Sequence, residues 1–197
     1  EKQFGARVIL DSEPLFIYKG QRIGLVGKNG AGKTTLLHVL AGYSKADFGQ
    51  VTHYEKTAYI PQLHQQSASL SPKEANQWQV PAHAHKSGGE QTRAKIAKAL
   101  EANALLLLAD EPTSHLDLEG IEQLEQVFTS FSGGLLVTSH DKTFLNNVCT
   151  SIWEIEDGKI NVYEGNYDAY QAQKQKELDE AHKAYQSYQS EKNRLLQ

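Results

Sequence analysis

The stretch GKNGAGKT, residues 27–34, constrains the fold of this chain more than any other part of its sequence. It puts three glycines and two lysines into one bend, between an apolar strand-like run at 22–26 and the segment TTLLHVLAG, whose helical spacing ends at Gly42. Glycines let backbone N–H groups converge on a ligand, and the start of a helix adds the positive end of its dipole. The spacing G-x-x-x-x-G-K-[ST] therefore predicts a phosphate-binding loop between a strand and a helix. A purely structural glycine turn would leave the lysine and the threonine in register unexplained.

Each position of this loop has a predicted part in binding a phosphate chain. Lys33 is long enough to reach the outer phosphates, and the hydroxyl of Thr34 can ligate Mg²⁺. The predicted contacts to the nucleotide are Gly27, Lys28, Asn29, Gly30, Ala31, Gly32, Lys33, Thr34 and Thr35.

Two adjacent carboxylates follow the most apolar segment of the chain, in LLLLADE at 105–111. A buried strand that ends in Asp110 delivers its carboxylate to the edge of the sheet, where it can hold the metal through its shell. Glu111 comes next and can orient and activate a water in line with the γ-phosphate. Acidic residues that merely end a strand would be the better interpretation if no phosphate loop preceded them.

The remaining pattern predicts an α/β fold with a mainly parallel sheet, because strands and helices alternate. Strands are predicted at 14–18, 22–26, 49–54, 56–62, 104–110 and 134–140, and amphipathic helices at 88–102 and 118–131. Residues 151–163 alternate with period two around Asp157 and Gly158, which predicts a hairpin. This hairpin and a similar one around Lys19 and Gly20 predict an antiparallel edge.

Composition limits the alternatives. A chain of 197 residues suits one ordinary domain. Its formal charge of −4 does not favour extensive nonspecific binding to nucleic acid. Cys149 is the only cysteine, so no internal disulfide can form and a reducing compartment is expected. The longest apolar run, ALLLLA, is far too short to span a bilayer, and no leader is visible. We expect a cytoplasmic protein without membrane insertion, of which this chain is a fragment.

Further motifs extend the pattern on both sides of the two carboxylates. They are PQ at 61–62, KSGGEQTR at 86–93, DEPTSHLD at 110–117 and TSHD at 138–141. Together with the glycine loop and in this order, they resemble an ATP-binding cassette along nearly the whole chain. The resemblance implies a P-loop NTPase core, ATP as the substrate and Mg²⁺ as the cofactor.

The resemblance also assigns roles to several residues. It implies that Gln62 senses the metal and the attacking water, that Ser87, Gly88 and Gly89 grip the γ-phosphate of an opposing site, and that His140 contacts the γ-phosphate of its own site. Asp117 would lie in the loop that communicates across a cassette dimer, and Phe4 would stack on adenine. The signature begins with Lys86, where cassettes commonly have leucine, which is expected to alter packing near the signature helix.

These motifs fit two kinds of ATP-binding cassette. One is the motor domain of a membrane transporter, and the other is a cassette that acts on the translation machinery. The interval from 63 to 86 is short and broken by prolines, which leaves little surface for docking to a membrane partner. SHDKTFLNNV, IWEIEDGKI and YEGNYDAY resemble the subfamily F cassettes, twin-cassette proteins that work on ribosomes, some of which give antibiotic resistance.

This second resemblance sets the expected organisation. Residues 1–168 would form the cassette, with a short helical and signature subdomain at 63–100, and 169–197 would begin the helix that links two cassettes. That segment lacks proline and glycine, and its apolar residues follow a three-four spacing, broken by Lys192, at Leu178, Ala181, Tyr185, Tyr188 and Leu195. A solvated surface helix is the alternative. The implied partners are a second cassette and the ribosome, with its rRNA and peptidyl tRNA.

Overall fold

A computed structural model describes residues 1–4, 7–52, 56–62, 96, 103–114 and 116–195 of the chain. The helices and strands follow one another in this order: β1 (Lys2–Phe4), β2 (Arg7–Leu10), β3 (Arg22–Gly27), α1 (Lys33–Leu40), β4 (Thr57–Ile60), β5 (Leu106–Asp110), α2 (Leu118–Ser130), β6 (Gly134–Thr138), α3 (Lys142–Val148), β7 (Ser151–Glu156), β8 (Lys159–Glu164) and α4 (Tyr167–Leu195).

One six-stranded sheet forms the centre of the fold, in the order β4-β5-β6-β3-β7-β8. All neighbouring pairs are parallel except β7 and β8, so the antiparallel edge lies at one side of a parallel sheet. This confirms the predicted α/β class. Because the carboxyl ends of parallel strands share one edge, the loops after β3, β4, β5 and β6 all emerge there.

Apolar side chains cover both faces of this sheet. Leu36 and Leu37 of α1 pack over one face against Leu108 and Leu136. The helices α2 and α3 cover the other face, where the rings of Phe128 and Phe144 meet edge to face with centroids 6.1 Å apart. Ile96 is buried and helical, in agreement with the predicted amphipathic helix at 88–102, whose other residues lie outside the described part of the chain. Because apolar side chains pack on both faces of the sheet, the positions at which its strands end are fixed relative to one another.

The closing hairpin is built as its sequence predicts. Ser151 pairs with Glu164 and Glu156 with Lys159, with a two-residue turn between the strands. Asp157 has φ 49° and Gly158 has φ 80°, which is the positive-φ pair that a tight hairpin turn requires.

Two predicted strands are wrong in the described part of the chain. Residues 14–18 form no strand: Phe16 and Tyr18 are exposed, and the segment passes across the start of β6 with Ile17 against Gly134. Residues 49–52 are not a strand either, and 53–55 lie outside the described residues. The second antiparallel element is instead the two-stranded sheet of β1 and β2, which the sequence patterns did not predict.

A buried polar cluster ties the long helix α4 to the sheet. The carboxylate of Glu154 on β7 accepts hydrogen bonds from the hydroxyl of Tyr170 at 2.7 Å and from Nζ of Lys174 at 2.8 Å. Lys174 also donates to Glu156 at 2.7 Å, and these two bonds raise the pKa of Lys174 above its ordinary value. The helix begins at Tyr167, two residues before the predicted start at 169. Its first two turns are therefore fixed to β7, the strand next to β3.

In the described ranges no helix is both long and apolar enough to cross a bilayer.

Candidate active site

The glycine loop connects β3 directly to α1 and has a backbone that only glycine adopts readily. Gly27 has φ 153° and Gly32 has φ 110°. A Cβ at Gly27 would lie 2.8 Å from the carbonyl oxygen of Ile155, and one at Gly32 would lie 2.9 Å from the side chain of Ile9. Side chains at either position would push β7 or β2 away from the loop. The glycines therefore let the loop fold tightly over the end of the sheet.

The first turn of α1 offers unpaired N–H groups to a ligand. The first intrahelical bond is donated by Leu36 to the carbonyl of Gly32 at 2.9 Å, and Gly32 provides no side-chain cap. The N–H groups of Lys33, Thr34 and Thr35 precede that bond, so they are free of intrahelical partners, as at any helix start. At the other end, Gly42 and Tyr43 donate to the carbonyls of Val39 and His38, which closes the helix with the predicted glycine cap.

Lys33 lies across the loop. Its Nζ donates to the carbonyl oxygens of Gly27 at 2.8 Å and Lys28 at 3.2 Å. The ammonium group is thus held at the centre of the bend, where the predicted phosphates would lie.

Asp110 connects the loop to the end of β5. Its Oδ2 accepts a hydrogen bond from the hydroxyl of Thr34 at 2.8 Å, and its Oδ1 accepts one from Thr138 at 2.7 Å. The residue is only 2% exposed, so these two bonds offset part of the cost of burying its charge. Thr34 and Asp110, predicted from two separate motifs as metal-holding residues, are in direct contact.

Glu111 turns away from Asp110 through a left-handed backbone with φ 49°. Its N–H donates to the hydroxyl of Thr138 at 2.9 Å, and its Oε2 accepts from the N–H of His140 at 3.1 Å. Nε2 of His140 lies 3.6 Å from Oε1. A non-glycine residue in this region is strained, and such strain is typically found at functional sites. The kink separates the two neighbouring carboxylates into distinct positions.

Burial raises the pKa of Glu111 above its ordinary value, and the nearby His140 opposes the rise. Because the folded-state pKa is the higher one, ionisation of Glu111 costs stability as pH rises from about its ordinary value of 4.5 through the raised one.

We predict that Glu111→Gln raises the thermal midpoint at pH 7 by about 2–4 °C, if removing the buried charge relieves about 1 kcal/mol. The difference should vanish near pH 4, and Glu122→Gln, an exposed control on α2, should show none. A variant that is less stable than wild type at pH 7 would contradict this.

The other predicted residues are placed less completely. Gln62 follows β4, whose last residue Ile60 pairs with Ala109, so Gln62 leaves the sheet at the same edge as Asp110. His140 contacts Glu111 through both its backbone N–H and its Nε2, although its side chain is 73% exposed. Asp117 caps α2 by accepting from the N–H of Gly120. Lys86, Ser87, Gly88 and Gly89 lie outside the described residues, and so does the side chain of Phe4, whose backbone ends β1.

Thr138 is the residue of this site that the sequence patterns missed. It is fully buried at the end of β6 and joins Asp110 to the backbone of Glu111. Next to it, the hydroxyls of Ser139 and Thr113 are 2.7 Å apart, which ties the two loops together. Thr138 is the first residue of the motif TSHD and ends a predicted apolar strand. That position, next to the end of the strand LLLLADE, is the sequence feature that could have indicated its role.

Comparison with known proteins identifies the family and the fold. Two family models, both described as ABC transporter, match residues 11–82 and 153–197. Among solved structures, the ATP-binding subunit of an ABC transporter superposes with a TM-score of 0.68 at 20% identity, covering 87% of this chain and 89% of that one. A dimeric ATP-binding cassette bound to ADP and Pi superposes with a TM-score of 0.64, also at 20% identity, covering 82% and 94%. The fold is that of an ATP-binding cassette, and the chain belongs to the ABC transporter family that both models describe.

Several curated relatives are similar to most of this chain. The erythromycin resistance ATP-binding protein MsrA of Staphylococcus epidermidis is 36% identical over 85% of this chain, and the energy-dependent translational throttle protein EttA of Haemophilus influenzae is 33% identical over 91%. The ribosome protection protein VmlR of Bacillus subtilis is 37% identical over 78%. This chain spans 36%, 38% and 30% of these relatives, respectively.

Proposed function

We propose that this chain binds Mg·ATP and hydrolyses it as one cassette of a cytoplasmic twin-cassette protein that acts on the ribosome. The observation that carries the ATPase part is the 2.8 Å hydrogen bond between Thr34 and Asp110, with Glu111 turned toward His140 beside it. This contact joins the phosphate loop to the two carboxylates, so the binding residues and the proposed base share one edge of the sheet.

The residues of the loop would bind the phosphates. Lys33 would exchange the two backbone carbonyls for phosphate oxygens, which are stronger partners because they are charged. The unpaired N–H groups of the first turn of α1 would add further hydrogen bonds. Phe4 is proposed to stack on the adenine.

A divalent cation fits the oxygen donors at this edge. Mg²⁺ prefers carboxylate, hydroxyl and carbonyl oxygens, and here the Thr34 hydroxyl lies against a buried carboxylate held on both oxygens. Thr34, Gln62 and Asp110 are the residues that would hold it. The ion would neutralise charge on the phosphates.

Glu111 is proposed to be the general base. Its carboxylate would take a proton from a water as that water's oxygen attacks the γ-phosphorus and the bond to the β–γ bridging oxygen breaks, releasing ADP and phosphate. Burial supports this role, since it raises the pKa of Glu111 and makes the carboxylate a better proton acceptor. His140 and Gln62 would orient the water and the γ-phosphate.

Full activity is proposed to need two cassettes. Ser87, Gly88 and Gly89 would complete the site of an opposing cassette, and one structural neighbour is a cassette dimer bound to ADP and Pi. We predict that ATP turnover per molecule of this chain rises with protein concentration and falls at least tenfold on dilution to nanomolar levels. Sizing by light scattering over the same range would relate turnover to dimer content. Turnover that stays high and constant on dilution would contradict a shared site.

The ribosomal role is supported by relatives rather than by the site itself. Similarity to a translational throttle protein and to a ribosome protection protein favours it, and similarity to an erythromycin resistance protein favours a resistance role.

The helix α4 would be the start of the inter-cassette linker. It extends about 40 Å at 1.5 Å per residue, and Leu178, Tyr185 and Tyr188 on it are exposed. Residues 171–197 carry five Lys and Arg against four Asp and Glu, so recognition of rRNA or peptidyl tRNA would depend on shape more than on charge.

Co-sedimentation with ribosomes tests this part of the proposal. The full-length protein with Glu111→Gln and ATP should pellet with ribosomes, and the same protein without the linker should pellet much less. Glu122→Gln serves as the matched control that still hydrolyses ATP. No binding by either form would favour the transporter-like alternative, and equal binding would remove the linker from the mechanism.

A further inference from the structure

Tyr59 contains a buried polar group that the proposed mechanism does not use. The residue is 6% exposed and lies on β4, three positions before Gln62. Among the described residues, its hydroxyl is the only buried side-chain N or O atom without a hydrogen bond of normal geometry. An unpaired buried hydroxyl destabilises a folded protein, so its presence beside a binding site needs a physical reason.

The surroundings hold this ring in one place at the edge of the metal site. Tyr59 pairs with Leu108, two residues before Asp110 on the neighbouring strand. Its ring meets His38 and Tyr43 edge to face, with centroids 5.5 and 5.4 Å away. His38 lies one turn after Thr34 on α1. Tyr59 is therefore packed between the helix and the strand that carry the two contacting residues of the site.

Asp110 is the charged group that acts most strongly on this hydroxyl. A tyrosine hydroxyl carries its proton at neutral pH and can donate, and its contact with Asp110 falls short of a hydrogen bond of normal geometry. A carboxylate accepts about four hydrogen bonds or metal contacts. Asp110 has one acceptor bond on each oxygen, from Thr34 and Thr138, so positions remain for a metal-bound water and for one more donor.

We propose that Tyr59 is a positioning residue of the Mg·ATP site, whose hydroxyl donates to Asp110, directly or through one water, when metal and nucleotide are bound. The inference rests on the proposed function. In the free protein its contact with Asp110 is not a hydrogen bond of normal geometry, which leaves the buried hydroxyl poorly satisfied, and in the complex it would gain one. Removing it therefore has opposite effects on the two states, and a residue with only a packing role would not show this.

Tyr59→Phe tests the inference, made in a Glu111→Gln parent so that ATP is not consumed. Calorimetry gives the Kd for ATP in Mg²⁺ and in EDTA, and their ratio measures how strongly the metal promotes binding. We expect the variant to lower that ratio roughly tenfold while the Kd in EDTA stays within about twofold. The thermal midpoint in EDTA without ATP should rise by about 2 °C. Tyr18→Phe, which removes a hydroxyl from an exposed tyrosine, is the control and should change neither quantity.

The possible outcomes separate this inference from the proposed function. If the parent binds ATP equally with and without Mg²⁺, the Mg-dependent function itself is wrong. If the parent shows the dependence and Tyr59→Phe keeps the same ratio, only the role of Tyr59 is overturned. A lower thermal midpoint with weaker binding in both conditions also overturns it, because that pattern marks a packing residue.

Discussion

Replacing Glu111 with glutamine is expected to lower the rate of ATP hydrolysis by about 100- to 1,000-fold and to leave ATP affinity within about twofold of wild type. A general base acts on the transition state, so its loss reduces turnover and spares ground-state binding. Glutamine keeps the shape of the side chain and an acceptor oxygen for the N–H of His140, so the bond now made by Oε2 can persist. The variant loses the negative charge and, with it, the ability to take a proton.

Phosphate release under multiple turnover, together with calorimetric ATP binding, checks this expectation. The matched control is Glu122→Gln, an exposed glutamate on α2 that makes the same chemical change away from the site. Near-normal turnover in the Glu111→Gln protein would assign proton transfer to another group. A parallel loss of affinity and turnover would make Glu111 a binding residue.

The sequence allowed prediction of those parts of the site that depend on local pattern. The glycine loop has fixed spacing and lies between a strand and a helix, so its position at the sheet edge follows from chain order alone. Asp110 could be placed there too, because a short apolar run that ends in a carboxylate must end where parallel strands end. The hairpin around Asp157 and Gly158 is similarly local.

The features that could not be predicted depend on partners distant in the chain. Residues 14–18 have a strand-like composition, but a strand requires a neighbour with free hydrogen-bonding groups, and the start of β6 is already paired with β3 and β5. Thr138 gains its role only because β6 lies beside β5, which sets its hydroxyl against Asp110. The helix α3 has seven residues, too few for a clear periodic signal, although its cap Asp141 is the last residue of the motif TSHD.

Removal of the Lys33 charge is expected to weaken ATP binding by about 100-fold. In the free protein this ammonium is satisfied by two backbone carbonyls, and in the complex it would bond charged phosphate oxygens. Hydrogen bonds to charged groups contribute about 1.5–3 kcal/mol each, and about 2.7 kcal/mol corresponds to 100-fold in affinity. Lys33→Met keeps the length of the stem and removes the charge, so it isolates the electrostatic contribution from packing.

The comparison needs a variant that changes charge without touching the loop. Lys19→Ala removes an exposed lysine from the turn before β3, at the opposite end of that strand, and should bind ATP like wild type. Affinity measured at several salt concentrations adds a second criterion, because the loss of a charge pair in the site should flatten the salt dependence in Lys33→Met alone. The glycine backbone and the helix start stay intact in Lys33→Met. We therefore expect this variant to retain weak binding that no longer distinguishes ATP from ADP. Full affinity in Lys33→Met would mean that backbone N–H groups alone hold the phosphates, and the lysine would then serve only to close the empty loop.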